Sequence, residues 1–290
     1  MKRYWAMLAW LPGFALLALY VNGVPRLVGL AVPVWLAYVA GFFLLVFLLC
    51  RYGLRLTRAA LGLHRPAGWM RWLWIGFAIG LGVWALKYAV YFAMGKFELA
   101  GWRDAASVLP MLAQAMLGML FASAINDVMI RGYGLAFCRR FELMRWYVPL
   151  TAVVYALDDA WNAGLDPANL LFSLVLGACL AWTVLRTGTL WMSIGIHWGG
   201  NMAYRFMAGF DGQGVPRLEQ VIDGARFDYV GIAITALILP LAALALRDLL
   251  VDRHSEHEQD HRDDHRGPEQ ELGDAHGRAG DTGEAEHAGH

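Results

Sequence analysis

The stretch ASAINDVMIRGYG, residues 122–134, lies inside an apolar run that begins near Val108. An apolar run of that length reads as a helix crossing a bilayer. Yet Asn126, Asp127 and Arg131 interrupt it, and one charge at mid-bilayer costs roughly 2.5–3.5 kcal/mol on the insertion scale. Those three side chains must be satisfied inside the fold, as by an Asp127–Arg131 ion pair along the helix, or used by it, as in a polar chamber within a membrane bundle.

The rest of the chain agrees. Its 290 residues are 58% hydrophobic and 17% charged, with 13 Trp. Apolar blocks recur near 4–22, 29–50, 72–94, 106–125 (running on as a polar-marked helix to about 138), 147–162, 168–185, 189–206 and 229–247. The expected architecture is an all-α polytopic integral membrane protein of about eight transmembrane helices. Lys2 and Arg3 before WAMLAWLPGFALLALYV imitate a signal peptide, but no small-residue cleavage site follows, so a retained first helix is expected. Cys50, Cys138 and Cys179 are far apart in apolar surroundings and form no metal or disulfide pattern. Gly76, Gly80 and Gly82 suit close helix packing. There is no phosphate-binding loop and no basic-aromatic nucleic-acid patch.

Charge is distributed unevenly. Residues 253–290 hold 4 Arg against 11 Asp and Glu, so the formal net charge of +0 leaves +7 on residues 1–252. Alternate loops carry most of that surplus: Arg51, Arg55, Arg58, Arg65 and Arg71, then Arg139, Arg140 and Arg145, then Arg186 and Arg247. The asymmetry is expected to place both termini on the cytoplasmic side of the cell membrane. The tail after Asp252 has almost no apolar residues and seven of the nine histidines. It is expected to be disordered.

The polar residues at depth are few: Asn126, Asp127 and Arg131, then Asp158 and Asp159, then His197 and Asn201. Counted from the cytoplasmic helix ends at 1.5 Å per residue, Asn126, Asp159 and Asn201 all fall about 18 Å deep and His197 about 12 Å. Asp127 and Arg131 are four apart, as are His197 and Asn201, so each couple shares a helix face. Lys87 lies near a helix end, where it is expected to snorkel to the interface.

Three motifs in order, Asn126-Asp127-x-x-x-Arg131-Gly132, Tyr155-x-x-x-Asp159 and His197-x-x-x-Asn201, together with LLFSLVLGACLAWTVLRTGTLWMSIGIHWGGN (170–201), resemble the CPBP family. This is the family of CAAX proteases and bacteriocin-processing enzymes, also called Abi. The resemblance covers roughly residues 60–206. It divides the chain into N-terminal helices (1–59), the protease-like core (60–206), an outer loop with the last helix (207–252) and the tail (253–290). It implies an intramembrane endopeptidase in which a Glu, helped by a His of the second motif, activates water. The later His and Asn stabilise the oxyanion, and a metal is often assigned.

Here Asn126 and Asp127 stand where the family has Glu-Glu, and Asp159 stands where it has His. An amide cannot act as a general base, so the expected site is altered: Asn126, Asp127, Arg131, Asp159, His197 and Asn201. Asp127, Asp159 and His197 are the donors for a divalent metal such as zinc, should one bind. Two functions follow from the resemblance: hydrolysis of a membrane-associated or prenylated peptide by a reshaped site, or a catalytically impaired scaffold or immunity-type factor that binds a peptide or partner helix. A proton-linked transporter is the third class, and it lacks the inverted sequence symmetry such folds carry.

Overall fold

The computed structural model describes residues 2–28, 31–210 and 212–247. The acidic, His-rich tail lies outside them. Residues 1–242 pack as one unit, and of the remainder the described residues 243–247 are helical.

All eight apolar blocks are helical over most of their described residues. α1 (Lys2–Leu8) and α2 (Leu11–Val28) are parted at Ala9–Trp10, just before Pro12, and α3 (Val32–Leu48) returns beside α2. α4 (Trp69–Ala93) and α5 (Ala105–Asp127) follow, then α6 (Tyr133–Arg140), α7 (Tyr147–Ala163), α8 (Pro167–Thr187), α9 (Trp191–Ala208) and α10 (Ala225–Ala236). Among the described residues, six stretches are long and apolar enough to cross a membrane. α7 and α9 are not among them, although the blocks at 147–162 and 189–206 were expected as spans. α7 is only 17 residues long and carries Asp158 and Asp159, and α9 carries His197, Asn201 and Arg205, which lower its hydropathy.

The helix ends follow local chemistry. Asp104 caps α5, its carboxylate accepting from the Ser107 amide at 2.9 Å and the Ser107 hydroxyl at 3.0 Å. Those bonds hold the Asp104 carboxyl below the ordinary carboxylate range. Asp166 caps α8 in the same way through the Asn169 amide, with Pro167 in the first turn. Gly188 closes α8 in the left-handed conformation, φ +71°.

α4 and α9 form the most extensive helix pair, with α7 on α8 next; α5 crosses α9, and α10 rests on α8 and α4. The α4–α9 contact is built from glycine on both sides. Gly76 and Gly80 face the Met192 and Ile196 carbonyls, while Gly195 and Gly199 face the Leu73 and Phe77 carbonyls. Gly82, expected on the same packing face, looks into open space. It sits two residues past Gly80 and so falls off the four-residue stripe.

The all-α expectation holds with one addition. β1 (Phe97–Trp102) and β2 (Pro216–Gln220) pair antiparallel, Phe97 opposite Gln220, and the register shifts between Leu99 and Gly101. This two-stranded sheet joins the α4–α5 loop to the α9–α10 loop, helped by the Arg103 Nε bond to the Gly214 carbonyl at 2.8 Å.

Candidate active site

The run expected as one helix over 106–138 contains a widened turn. α5 ends at Asp127, residues Val128–Gly132 wind as π-helix, and α6 resumes at Tyr133. Such insertions are frequent at functional sites. This one lies at the Asp127–Arg131 couple, and the Tyr147 hydroxyl caps the disturbed ladder by donating to the Arg131 carbonyl at 3.1 Å.

Asp127 and Arg131 are both fully buried, with Nη1 of Arg131 2.8 Å from Oδ1 of Asp127. The same Nη1 donates to Asn126 Oδ1 at 2.6 Å. The guanidinium lies 4.2 Å over the Tyr155 ring. Its Nε and Nη2 have no hydrogen-bond partner among the described residues. A buried guanidinium with unmet N–H donors is uncommon in a folded protein and marks Arg131 as a candidate for a functional role.

α9 meets α5 along a polar seam. Ser193 donates to Asp127 Oδ2 at 2.8 Å, His197 Nδ1 lies 3.4 Å from Asp127 Oδ1, and Asn201 donates to Ser123 Oγ at 3.1 Å. Ser193, His197 and Asn201 recur every four residues on α9, and Ser123 and Asp127 do so on α5, so the two faces zip in opposite directions. His197 also presents its ring to the edge of Tyr155, centroids 6.2 Å apart. With Asp127 ionised beside Arg131, the tautomer that fits carries its proton on Nδ1 and leaves Nε2 as an acceptor.

Five of the six expected site residues therefore converge: Asn126, Asp127, Arg131, His197 and Asn201. Asp159 does not join them. Its Oδ2 accepts from Ser173 Oγ at 2.7 Å and Asn169 Nδ2 at 3.1 Å, two donors one turn apart on α8. Its neighbour Asp158 faces the site instead, accepting from Asn22 at 2.7 Å and lying 3.5 Å from Asn126 Nδ2. α7 is wedged between α8 and α2, and each adjacent aspartate turns to the donors on its own side.

The metal set expected from Asp127, Asp159 and His197 is accordingly not assembled. Asp127 already serves Arg131, Ser193 and His197, and Asp159 is held on α8. Among the described residues no three His, Cys, Asp or Glu side chains converge on one point. These donors do not fit a resident ion.

Three partners escaped the sequence reading. Ser123 and Ser193 each lie four residues before a named site residue, a signal the four-residue periodicity carried. Asn22 is a lone amide in the apolar block 4–22, and only its reach across to α7 reveals it.

Toward the sheet end of the bundle, an apolar cavity of about 840 Å³ opens between α4, α5 and α9, lined by Phe77, Leu81, Tyr88, Leu112, Met116 and Met202 among others. Met202 follows Asn201, and the Met116 carbonyl accepts from Trp198 Nε1 at 3.0 Å, so the cavity adjoins the polar seam.

Residues 107–203 match the family model of the Rce1-like type II CAAX prenyl endopeptidases, consistent with the CPBP family. No curated protein and no solved structure matches the chain. The matched segment begins in α5 and ends in α9, so it holds the whole seam and leaves Asn22 outside it. The chain is a multi-pass membrane protein with a CAAX-protease-like domain.

Proposed function

We propose that the protein is an intramembrane endopeptidase in which the Asp127–His197 couple activates water in place of the family's glutamate. The supporting observation is the buried Arg131, fixed through Nη1 alone, with Nε and Nη2 unpaired. Asp127 holds Nδ1–H of His197, so Nε2 takes a proton from water, and the hydroxide formed adds to a peptide carbonyl. The oxyanion is met by preorganised donors, for which the free N–H groups of Arg131 and the Asn126 amide qualify. The imidazolium then returns its proton to the departing amine. Asp158, reached through Asn126, sets the charge of the chamber. The adjoining 840 Å³ cavity, within the roughly 300–1,000 Å³ typical of ligand sites, accommodates the apolar part of a membrane-associated substrate. Both termini face the cytoplasm in this reading, on the arginine asymmetry of the loops.

A second reading is favoured by one contact. Asn22 of α2 occupies Asp158, and a chamber closed in this way suits a binding scaffold that holds a peptide without cleaving it.

One assay separates the two: turnover of a membrane-inserted fluorogenic peptide by purified protein. His197→Ala is expected to lose about 10²–10⁴-fold, the usual contribution of a positioned general base. Asp158→Asn is expected to lose about tenfold, equivalent to 1.4 kcal/mol, and Asp159→Asn to keep the parent rate. An inert parent protein that still retains the peptide gives the scaffold reading. A working enzyme indifferent to His197→Ala ends the proposed mechanism.

A further inference from the structure

Away from the seam, a smaller cavity of about 260 Å³ is enclosed by α4, α8 and α10, with Lys87, Tyr91, Asp166, Asn169, Phe172 and Asp228 among its lining residues. It lies toward the sheet end of the bundle. Lys87 is about 9 Å short of the end of α4 at 1.5 Å per residue, Asp166 caps α8, and Asp228 is in the first turn of α10. These positions put the cavity at the level of lipid head groups.

Its charges are held apart. A lysine in a membrane helix ordinarily reaches for water or pairs with an acid. Lys87 Nζ has no carboxylate within ion-pair distance among the described residues, although two carboxylates line the same cavity. It rests instead against the Trp84, Tyr88 and Phe172 rings, 4.5, 5.6 and 5.4 Å from their centroids. The aromatic faces fix the ammonium on one wall. Asp166, which also lines the cavity, spends one oxygen on its helix cap, and Asp228 is exposed with no hydrogen-bond partner among the described residues. Asn169 also lines the cavity, its amide donating to Asp159 at 3.1 Å. Opposite charges kept separate across a small cavity are complementary to a molecule that carries both.

We propose that this cavity binds a zwitterionic aminoalkyl phosphate, the phosphate on Lys87 and the primary ammonium between Asp166 and Asp228. Two carboxylates against one ammonium select against a purely anionic head group. The carboxylates need N–H donors, which a trimethylated amine lacks. The volume falls just below the roughly 300–1,000 Å³ of drug-sized ligand sites, so it takes a head group while the acyl chains stay in the bilayer. The site is independent of the proteolytic reading.

The test is lipid retention by the full chain, purified from a membrane of mixed phospholipids and stripped by repeated detergent exchange, with bound lipid counted by native mass spectrometry. Phosphatidylethanolamine is expected to be retained several-fold over phosphatidylglycerol and phosphatidylcholine. Lys87→Met and Asp228→Asn are each expected to abolish the preference, while Leu157→Ala, on a lipid-facing site of α7, preserves it. Asp228 is exposed, so its variant tests the site without disturbing the fold. Free phosphoethanolamine that displaces the lipid, or that alone binds the parent and not the variants, assigns the site to the soluble form of the same chemistry. Equal retention of all three lipids with no binding of phosphoethanolamine overturns the proposal, as does an undiminished preference in both variants.

Discussion

Alanine at Gly80 is expected to unseat α4 from α9. A methyl there would run into the Ile196 carbonyl and the Gly200 amide, backbone atoms that cannot rotate aside, so α9 itself must move. Overpacking costs about 1–3 kcal/mol where side chains can adjust, and more where they cannot; the loss at Gly80 belongs at or beyond the top of that range. Gly195→Ala, which would meet the Leu73 carbonyl, should match it. Gly82→Ala meets nothing within 4 Å and should be neutral or stabilising by up to about 1 kcal/mol through helix propensity. Denaturant unfolding in bicelles reads the difference. If Gly80→Ala and Gly82→Ala unfold at the same midpoint, glycine is not what sets the approach of these helices. The consequence reaches function, because α9 carries Ser193, His197 and Asn201. A helix displaced to admit one methyl also carries the imidazole away from Asp127.

The glycine stripe shows how far the sequence could be read. Gly76 and Gly80 announced a close contact, but the partner helix and the matching Gly195 and Gly199 are a matter of which helices become neighbours, and apolar blocks are interchangeable in that respect. The polar residues were more informative, since each buried hydrogen-bonding group demands a partner. Depth counted along the helices brought Asn126, Asp159 and Asn201 to one level with His197 about one turn away; Asn126, His197 and Asn201 lie along the seam, while Asp159 turns to α8. The same count could not decide between Asp158 and Asp159. Neighbouring residues on a helix differ by one rise in depth and 100° in direction, and the direction depends on where α8 and α2 offer donors. The sheet was hidden for a different reason. Its strands lie in loops far apart in sequence, and short exposed strands carry no periodicity strong enough to separate them from turns.

The Asp127–Arg131 pair gives the sharpest test of what the chamber is for. Asp127→Asn leaves a fully buried guanidinium without its counter-charge, and Arg131→Met leaves a buried carboxylate with only Ser193 and His197. Each is expected to destabilise the fold by about 3–5 kcal/mol, the usual cost of breaking a buried pair from one side. The double variant Asp127→Asn with Arg131→Met should recover most of that loss, because no orphan charge remains and the thioether fills the space over Tyr155. A coupling of several kcal/mol in the double-mutant cycle would identify the two residues as one unit; simple additivity would mean that each is stabilised by its other partners. The recovered double variant should remain inert toward peptide even though it folds. A chain that keeps most of its stability without this pair, and loses its activity with it, retains the charges for chemistry, and the unpaired N–H groups on Nε and Nη2 of Arg131 are where that chemistry would be felt first.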